Sequence, residues 1–482
     1  MATANKAIIN IAQNWKLEAR FEDNSKYFYH YKEVNMIMSN QKCYVIGRKG
    51  AGKSAICEYI VKQKSYNSFS VKLSFKNYPF NELYSLQNEK YTQPNQYITL
   101  WKYLIYSNIC KMMVENENIE NSVRVELEKL YPRNSLKLLS RVIPEWTSGE
   151  FGLSVLGNGG SIKLERSIQE NPISWIEKVN ILEDIIQQYC DDSKYYIVFD
   201  ELDEDYRNVQ NRNENLQYVN LLTSLFKAVQ DVKATFYSSH PNIMPIVFLR
   251  DDIYLLINDA DKNKWSDLKL DIDWTADKMK KLLAYRISRD TGYVGDSPDF
   301  EKAWSAIFNM KSIHYGDGQS KMMSSYDFIT RSTQLRPRDY IQYIQCCCEH
   351  TLDIGANRID EGTIKFVDRA FSNYLKNEIT DEIFPIIPEI EYVFIIISNI
   401  HKQVFTYQEF EAEYKKYLVN GTIHNGNIDY VLDVLFNFSV IGNQDKFRKE
   451  RYYFKYLHTN MTYNKDEKMV LHRGLFKALQ IL

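Results

Sequence analysis

The chain has 482 residues, 44% of them hydrophobic and 25% charged, and a net charge of −2. That length accommodates about two to four domains with sizeable cores. The balanced charge excludes a global field for nucleic acid or anionic membrane, so any DNA contact must come from a local basic patch.

Polar residues interrupt every apolar stretch of MATANKAIINIAQNWKLEARFEDN, which is not the pattern of a signal peptide. Residues 1–40 read as a helical segment closing with a helix over Tyr27–Ser39. Next comes the apolar run Cys43–Ile46, then Gly47-Arg48-Lys49-Gly50-Ala51-Gly52-Lys53-Ser54, then Ala55 and a helical pattern through Ile60. Strand, glycine loop and helix in that order make a phosphate-binding P-loop. The glycines let backbone N–H groups converge on phosphate oxygens, and the following helix adds its positive N-terminal end. Lys53 is then expected to reach the β- and γ-phosphates, and the Ser54 hydroxyl to ligate Mg²⁺.

Phe69–Phe75 alternates as a strand does. A largely helical insertion follows, over about residues 76–190, interrupted by Phe151–Leu156, the turn Gly157-Asn158-Gly159-Gly160, and Ser161–Leu164, which together predict a β-hairpin. Tyr195–Phe199 is a buried-strand run ending in Asp200-Glu201-Leu202-Asp203-Glu204, and a helix is predicted over Glu214–Val229. Pro245–Leu249 is another buried strand, running into Arg250-Asp251-Asp252. Alternation of this kind predicts a parallel α/β sheet covered on both faces, with functional residues at the strands' carboxyl ends. Asp200 is placed to hold Mg²⁺ with Ser54, and Glu201 or Asp203 to act as general base. Arg250 would either face the γ-phosphate or pair with Asp251 or Asp252.

The P-loop and sheet thus occupy about residues 41–274. Residues 275–383 read as a helical lid, with Met279, Leu282, Leu283 and Ile287 on one face and Arg336-Pro337-Arg338-Asp339 opening a further helix. Cys346, Cys347 and Cys348 are consecutive on that helix, and no CxxC or His/Cys spacing suggests zinc, so the seven cysteines are read as reduced thiols. Residues 384–482 read as winged-helix-like: a capping box at Thr406-Tyr407-Gln408-Glu409, a second helix over Asn427–Phe438, and a two-stranded wing of Ser439–Gly442 and Tyr452–Tyr456. The second helix carries Asp429 and Asp433 and no basic residue, which disfavours insertion in a major groove. Lys446, Arg448, Lys449 and Arg451 in the wing are suited to nonspecific backbone contact. The most apolar segment, Val393–Ile397, is too short to span a bilayer.

The succession GRKGAGKS, YYIVFDELDE, PIVFLRDD, a helical lid with LRPRD, and a winged helix resembles bacterial P-loop ATPases akin to the AAA+/ORC-like and STAND groups. The resemblance spans about residues 27–482. It implies a P-loop NTPase parallel sheet with helical insertions, a helical lid and a C-terminal winged helix. It implies ATP rather than GTP, a sensor role for Arg250, and nucleotide contact by Pro337 and Arg338. Such ATPases often sit in anti-phage loci. The expectation is therefore a cytoplasmic, Mg²⁺-dependent ATPase switch signalling to an effector encoded nearby. The rival expectations are a DNA loader or a nucleotide-bound scaffold that does not hydrolyse. Both a monomer and a ring of identical subunits fit the sequence.

Overall fold

The computed structural model describes residues 2–74, 95–131, 153–158, 161–166, 175–203, 212–292, 295, 297–310 and 312–481. Its contacts divide the chain into two compact units. One comprises His30–Arg48 and Lys53–Asp273; the other comprises Met1–Tyr29, Lys49–Gly52 and Trp274–Leu482.

The first unit is built on strands β1 (Tyr44–Gly47), β2 (Ser68–Ser74), β5 (Lys194–Asp200), β6 (Ile243–Arg250) and β7 (Lys269–Asp271), with a separate pair, β3 (Leu153–Asn158) and β4 (Ser161–Arg166). The five form one parallel sheet in the order β2-β5-β6-β1-β7. β5 and β6 are buried along almost their whole length, as continuous apolar runs require when helices cover both faces. Trp101, on the helix Asn95–Glu115, packs edge-on to Phe199 of β5 and donates to the Leu221 carbonyl of the helix Arg212–Thr235. Tyr44 stacks on Phe226 of that same helix at 4.5 Å. The predicted hairpin is present as the antiparallel pair β3–β4; its turn residues 159–160 lie outside the described residues. β7, three residues long, is too short for an alternating pattern to reveal.

In the second unit, Ala7, Ile8, Ile11 and Trp15 of the N-terminal segment are fully buried. The helix Ala2–Asn14 packs on the helices Ala276–Thr291 and Pro337–Asp353. Arg286 forms a two-pronged pair with Glu22 (2.9 Å from Nη1 to Oε2, 2.5 Å from Nη2 to Oε1) between the rings of Trp15 and Tyr27. Beside it, the Asp290 carboxylate accepts from Trp15 Nε1, Lys26 Nζ and Tyr27 Oη at 2.7–2.9 Å. The predicted helix over Tyr27–Ser39 is instead two, Asn24–Tyr27 and Lys32–Met38. Asp23 caps the first, and extended backbone at Phe28 and Tyr31 separates them.

The run predicted as wholly helical between 275 and 380 also contains a hairpin, β8 (Ser312–Tyr315) with β9 (Lys321–Ser324). Further on, β10 (Val404–Phe405), β11 (Ile441–Gln444), β12 (Tyr452–Tyr453) and β13 (Lys468–Leu471) form an antiparallel sheet in the order β10-β13-β11-β12. The two predicted wing strands are therefore half of a four-stranded sheet, because the last strand returns to pair with the first. The capping box is formed: Thr406 accepts from the Glu409 amide, and Glu409 reaches back to the Thr406 amide. The helix Ile428–Asn437 buries Val431, Leu432 and Leu435 and turns Asp429 and Asp433 to solvent.

Candidate functional site

Parallel register brings the carboxyl ends of four strands side by side. Gly47 of β1 is level with Arg250 of β6, and Ser74 of β2 with Asp200 of β5. β6 lies between β1 and β5, so Arg250 ends the strand between the glycine loop and the acidic strand end. The edge that carries chemistry is thus set by sheet order.

The loop Gly47–Ser54 needs its glycines. Gly50 and Gly52 have φ of +77° and +96°, which a side chain strains. A Cβ on Gly50 would also stand 3.3 Å from the Arg338 Cβ. The helix Lys53–Lys62 then begins, with Lys53 and Ser54 in its first turn. Lys53 Nζ donates to the Gly47 and Arg48 carbonyls at 2.7 and 3.0 Å. Burial pushes its ammonium below the usual lysine range, against the pull of the Asp203 and Asp251 carboxylates. Burial and neighbouring Asp252 push the Asp251 carboxyl up, partly offset by Arg48 and Lys53.

Asp200 is 3% exposed. Its Oδ1 accepts from Ser54 Oγ at 3.5 Å, and its Oδ2 is buried without a hydrogen-bond partner among the described residues. A buried carboxylate with unused acceptor capacity beside a serine hydroxyl fits an oxygen-preferring divalent ion such as magnesium, which takes one or two protein ligands plus phosphate and water. Among the described residues no group of three or more His, Cys, Asp or Glu could hold a metal by itself.

Glu201 has φ of +55°, an uncommon conformation for a residue with a side chain. Its Oε2 accepts from Ser74 Oγ at 2.7 Å. Asp203, the other candidate base, lies 3.3 Å from Arg250 Nη1. Arg250 also bonds Asp252 through Nε and Nη2 at 3.0 and 2.7 Å. The ion-pair alternative for Arg250 is therefore the arrangement this structure holds.

In the second unit, Pro337 and Arg338 open the helix Pro337–Asp353. The Arg338 amide is 3.5 Å from the Gly50 carbonyl. Glu378 Oε2 lies 3.2 Å from Arg338 Nη1 and 3.6 Å from Lys49 Nζ. Arg336 is 1% exposed and bound to Asp339 and Glu382. Burial alone would lower its guanidinium, but those two carboxylates outweigh it and hold it charged. Its charge is thus met by carboxylates of its own unit. Ala51 is buried, and its carbonyl accepts from Trp274 Nε1 at 2.8 Å; Ala55 is half-buried.

Residues 277–380 match the model of a family described as the FunZ-associated C-terminal helical domain. No curated protein matches the chain. Among solved structures, the chain is similar to the Aeropyrum pernix ORC2 protein in ADPNP–ADP complexes, at 11% identity and a TM-score of 0.41, over 98% of this chain and 95% of that one. It is also similar to Aeropyrum pernix ORC1 in complex with DNA, at 10% identity and a TM-score of 0.37, over 93% and 90%. Cdc6p from Pyrobaculum aerophilum follows at 10% identity and 0.32, over 95% and 96%. Likeness this loose carries no residue's role across; the parallel sheet and the glycine loop after its first strand define the architecture.

Residues that the sequence did not single out also stand here. Lys72 of β2 lies 3.2 Å from Asp200 Oδ2, and Glu58, one turn after Ser54, lies 3.1 Å from Lys72. A signal was available: Lys72 is the one charged residue in Ser68–Ser74. At the other end of the chain, Lys446, Arg448, Lys449 and Arg451 are exposed around Phe447, itself 90% exposed. Asp445 shapes that turn by accepting from the Phe447 and Arg448 amides at 2.8 Å. No helix among the described residues is long and apolar enough to cross a membrane.

Proposed function

We propose that this protein is a Mg²⁺-dependent ATP-binding and ATP-hydrolysing switch. The observation that carries the reading is the buried Asp200 carboxylate beside the Ser54 hydroxyl at the start of the glycine-loop helix. Lys53 would exchange its two loop carbonyls for β- and γ-phosphate oxygens, a charge-assisted replacement for neutral bonds. Ser54 and Asp200 would hold magnesium, which neutralises phosphate charge. A Glu201 carboxylate oxygen takes a proton from the attacking water, with Ser74 keeping the other oxygen in place. Arg250 would sense the γ-phosphate by leaving Asp203 or Asp252. Pro337 and Arg338 would contact the nucleotide from the lid.

Phosphate release by wild type, Glu201→Gln and Asp203→Asn tests this. Glu201→Gln is expected to slow turnover by about 100-fold or more while ATP still binds. Equal, negligible rates in all three would leave a nucleotide-bound scaffold instead; trapping by Asp203→Asn alone would move the base to Asp203. As an output, signalling to an effector encoded nearby, in anti-phage defence, follows from the family resemblance and from no visible effector motif in the chain. Co-purification with neighbouring gene products, gained or lost with ATP, tests that step.

A second reading has its own observation in the exposed basic turn around Phe447. We read the C-terminal sheet and helices as a winged helix whose turn contacts DNA backbone nonspecifically. The solvent-facing Asp429 and Asp433 argue against base reading by the helix Ile428–Asn437. A salt-sensitive shift of random duplex, lost in Lys446→Ala/Arg448→Ala/Lys449→Ala, is the expected result; no shift at low salt removes this reading.

A further inference from the structure

Lys72 sits in a strand whose other residues are apolar or serine, yet its ammonium does not turn out to water. Three carboxylates converge on it: Glu58 Oε1 at 3.1 Å, Asp200 Oδ2 at 3.2 Å and Glu201 Oε1 at 3.7 Å. They come from the glycine-loop helix and from the end of β5. Two further cations act on this trio: Lys62, 4.0 Å from Glu58 and about half exposed, where solvent screens it, and the glycine-loop Lys53, whose ammonium is drawn by Asp200. Burial alone would lower the Lys72 ammonium, but Asp200, the Glu58 bond and Glu201 outweigh it and keep it charged.

Burying an ionised carboxylate without a counter-charge is costly. Asp200 takes a long bond from Ser54 on one oxygen and meets the Lys72 ammonium on the other, with the Cys57 thiol also against the carboxylate. Glu201 is held by Ser74 on one oxygen and faces Lys72 with the other. Three carboxylates thus share the one ammonium that touches them all, and a further cation brought in with phosphate relieves that crowding.

We propose that Lys72 is a positioning residue of the nucleotide site: its ammonium fixes the Asp200 and Glu201 carboxylates, and a magnesium ion held by Ser54 and Asp200 must share Asp200 with it. The inference rests on the nucleotide reading above. Its consequence is a raised magnesium requirement. Removing the ammonium strips a competing positive charge and tightens magnesium; removing the Glu58 charge leaves Lys72 more fully on Asp200 and weakens it.

The test is calorimetric ATP binding by the full chain across a magnesium titration, starting from EDTA. Lys72→Met is expected to lower the half-saturating magnesium concentration roughly tenfold, Lys72→Arg to keep it, and Glu58→Gln to raise it several-fold (about 3- to 10-fold). A merely structural lysine would not give shifts of opposite sign. An unchanged or raised half-point in a folded Lys72→Met protein overturns the proposal. Should Lys72→Met fail to fold, Glu58→Gln decides: a raised half-point supports the proposal and an unchanged one overturns it. Absence of ATP binding by wild type at every magnesium level is a different result, which removes the nucleotide reading and this inference with it.

Discussion

Arg286 and Lys72 are both cations drawn into protein by carboxylates, and the two surroundings differ in what they leave over. At Arg286 one guanidinium meets one carboxylate through two bonds, between two aromatic rings, and Asp290 nearby has three donors of its own. Charges cancel there, and the result is a clasp tying residues 15–27 to the helix Ala276–Thr291. Around Lys72, three carboxylates share one ammonium, and an Asp200 oxygen keeps acceptor capacity. A balanced cluster stabilises a fold; an unbalanced one is poised to take a ligand.

The contrast can be broken at either end. The largest effect is expected at the clasp. Glu22→Ala leaves the Arg286 guanidinium buried and unpaired, and should cost about 3–5 kcal/mol, read as a lowered unfolding midpoint. A change in the neighbouring glycine loop should barely move the midpoint but should remove function. Lys53→Ala is expected to weaken ATP binding by about 100-fold or more in calorimetry, with the unfolding midpoint near wild type. If both substitutions destabilise equally and neither affects ATP, the distinction between clasp and site collapses.

A smaller effect follows from the Lys53 pKa, which burial places below the ordinary 10.5. Phosphate binding uses the charged ammonium. Affinity should therefore hold below that lowered pKa and fall as pH rises through it, up to about tenfold per pH unit at most, at a lower pH than an ordinary lysine would give. Calorimetry from neutral to alkaline pH reads it; a flat profile would show Lys53 still fully charged. The smallest effect is local: Thr406→Ala removes the capping box and should cost about 1 kcal/mol of unfolding free energy without altering ATP affinity.

Local patterns accounted for much of the core. The glycine loop, the acidic end of β5, Arg250 at the end of β6, the hairpin β3–β4 and the capping box at Thr406 are all carried by neighbouring residues, because turn geometry, strand burial and caps are short-range. Other features were hidden for stated reasons. β7 and β10 are only three and two residues long, below the reach of any periodic signal. Arg336 and Arg338 look equivalent in the sequence, yet Asp339 and Glu382 bury the first, while the second meets Glu378 with its side chain 25% exposed.

By itself the sequence determined the glycine loop, the strands β1, β2, β5 and β6 and the residue types that end β5 and β6, since those depend on hydrophobic period and on glycine and turn chemistry. Only tertiary structure decided which distant charges meet. Glu22 reaches Arg286, and Lys72 reaches Asp200, through pairings set by helix packing and by parallel strand register. Neither partner's chain position reveals such a meeting, because the burial that gives each pair its meaning exists only once the chain has folded.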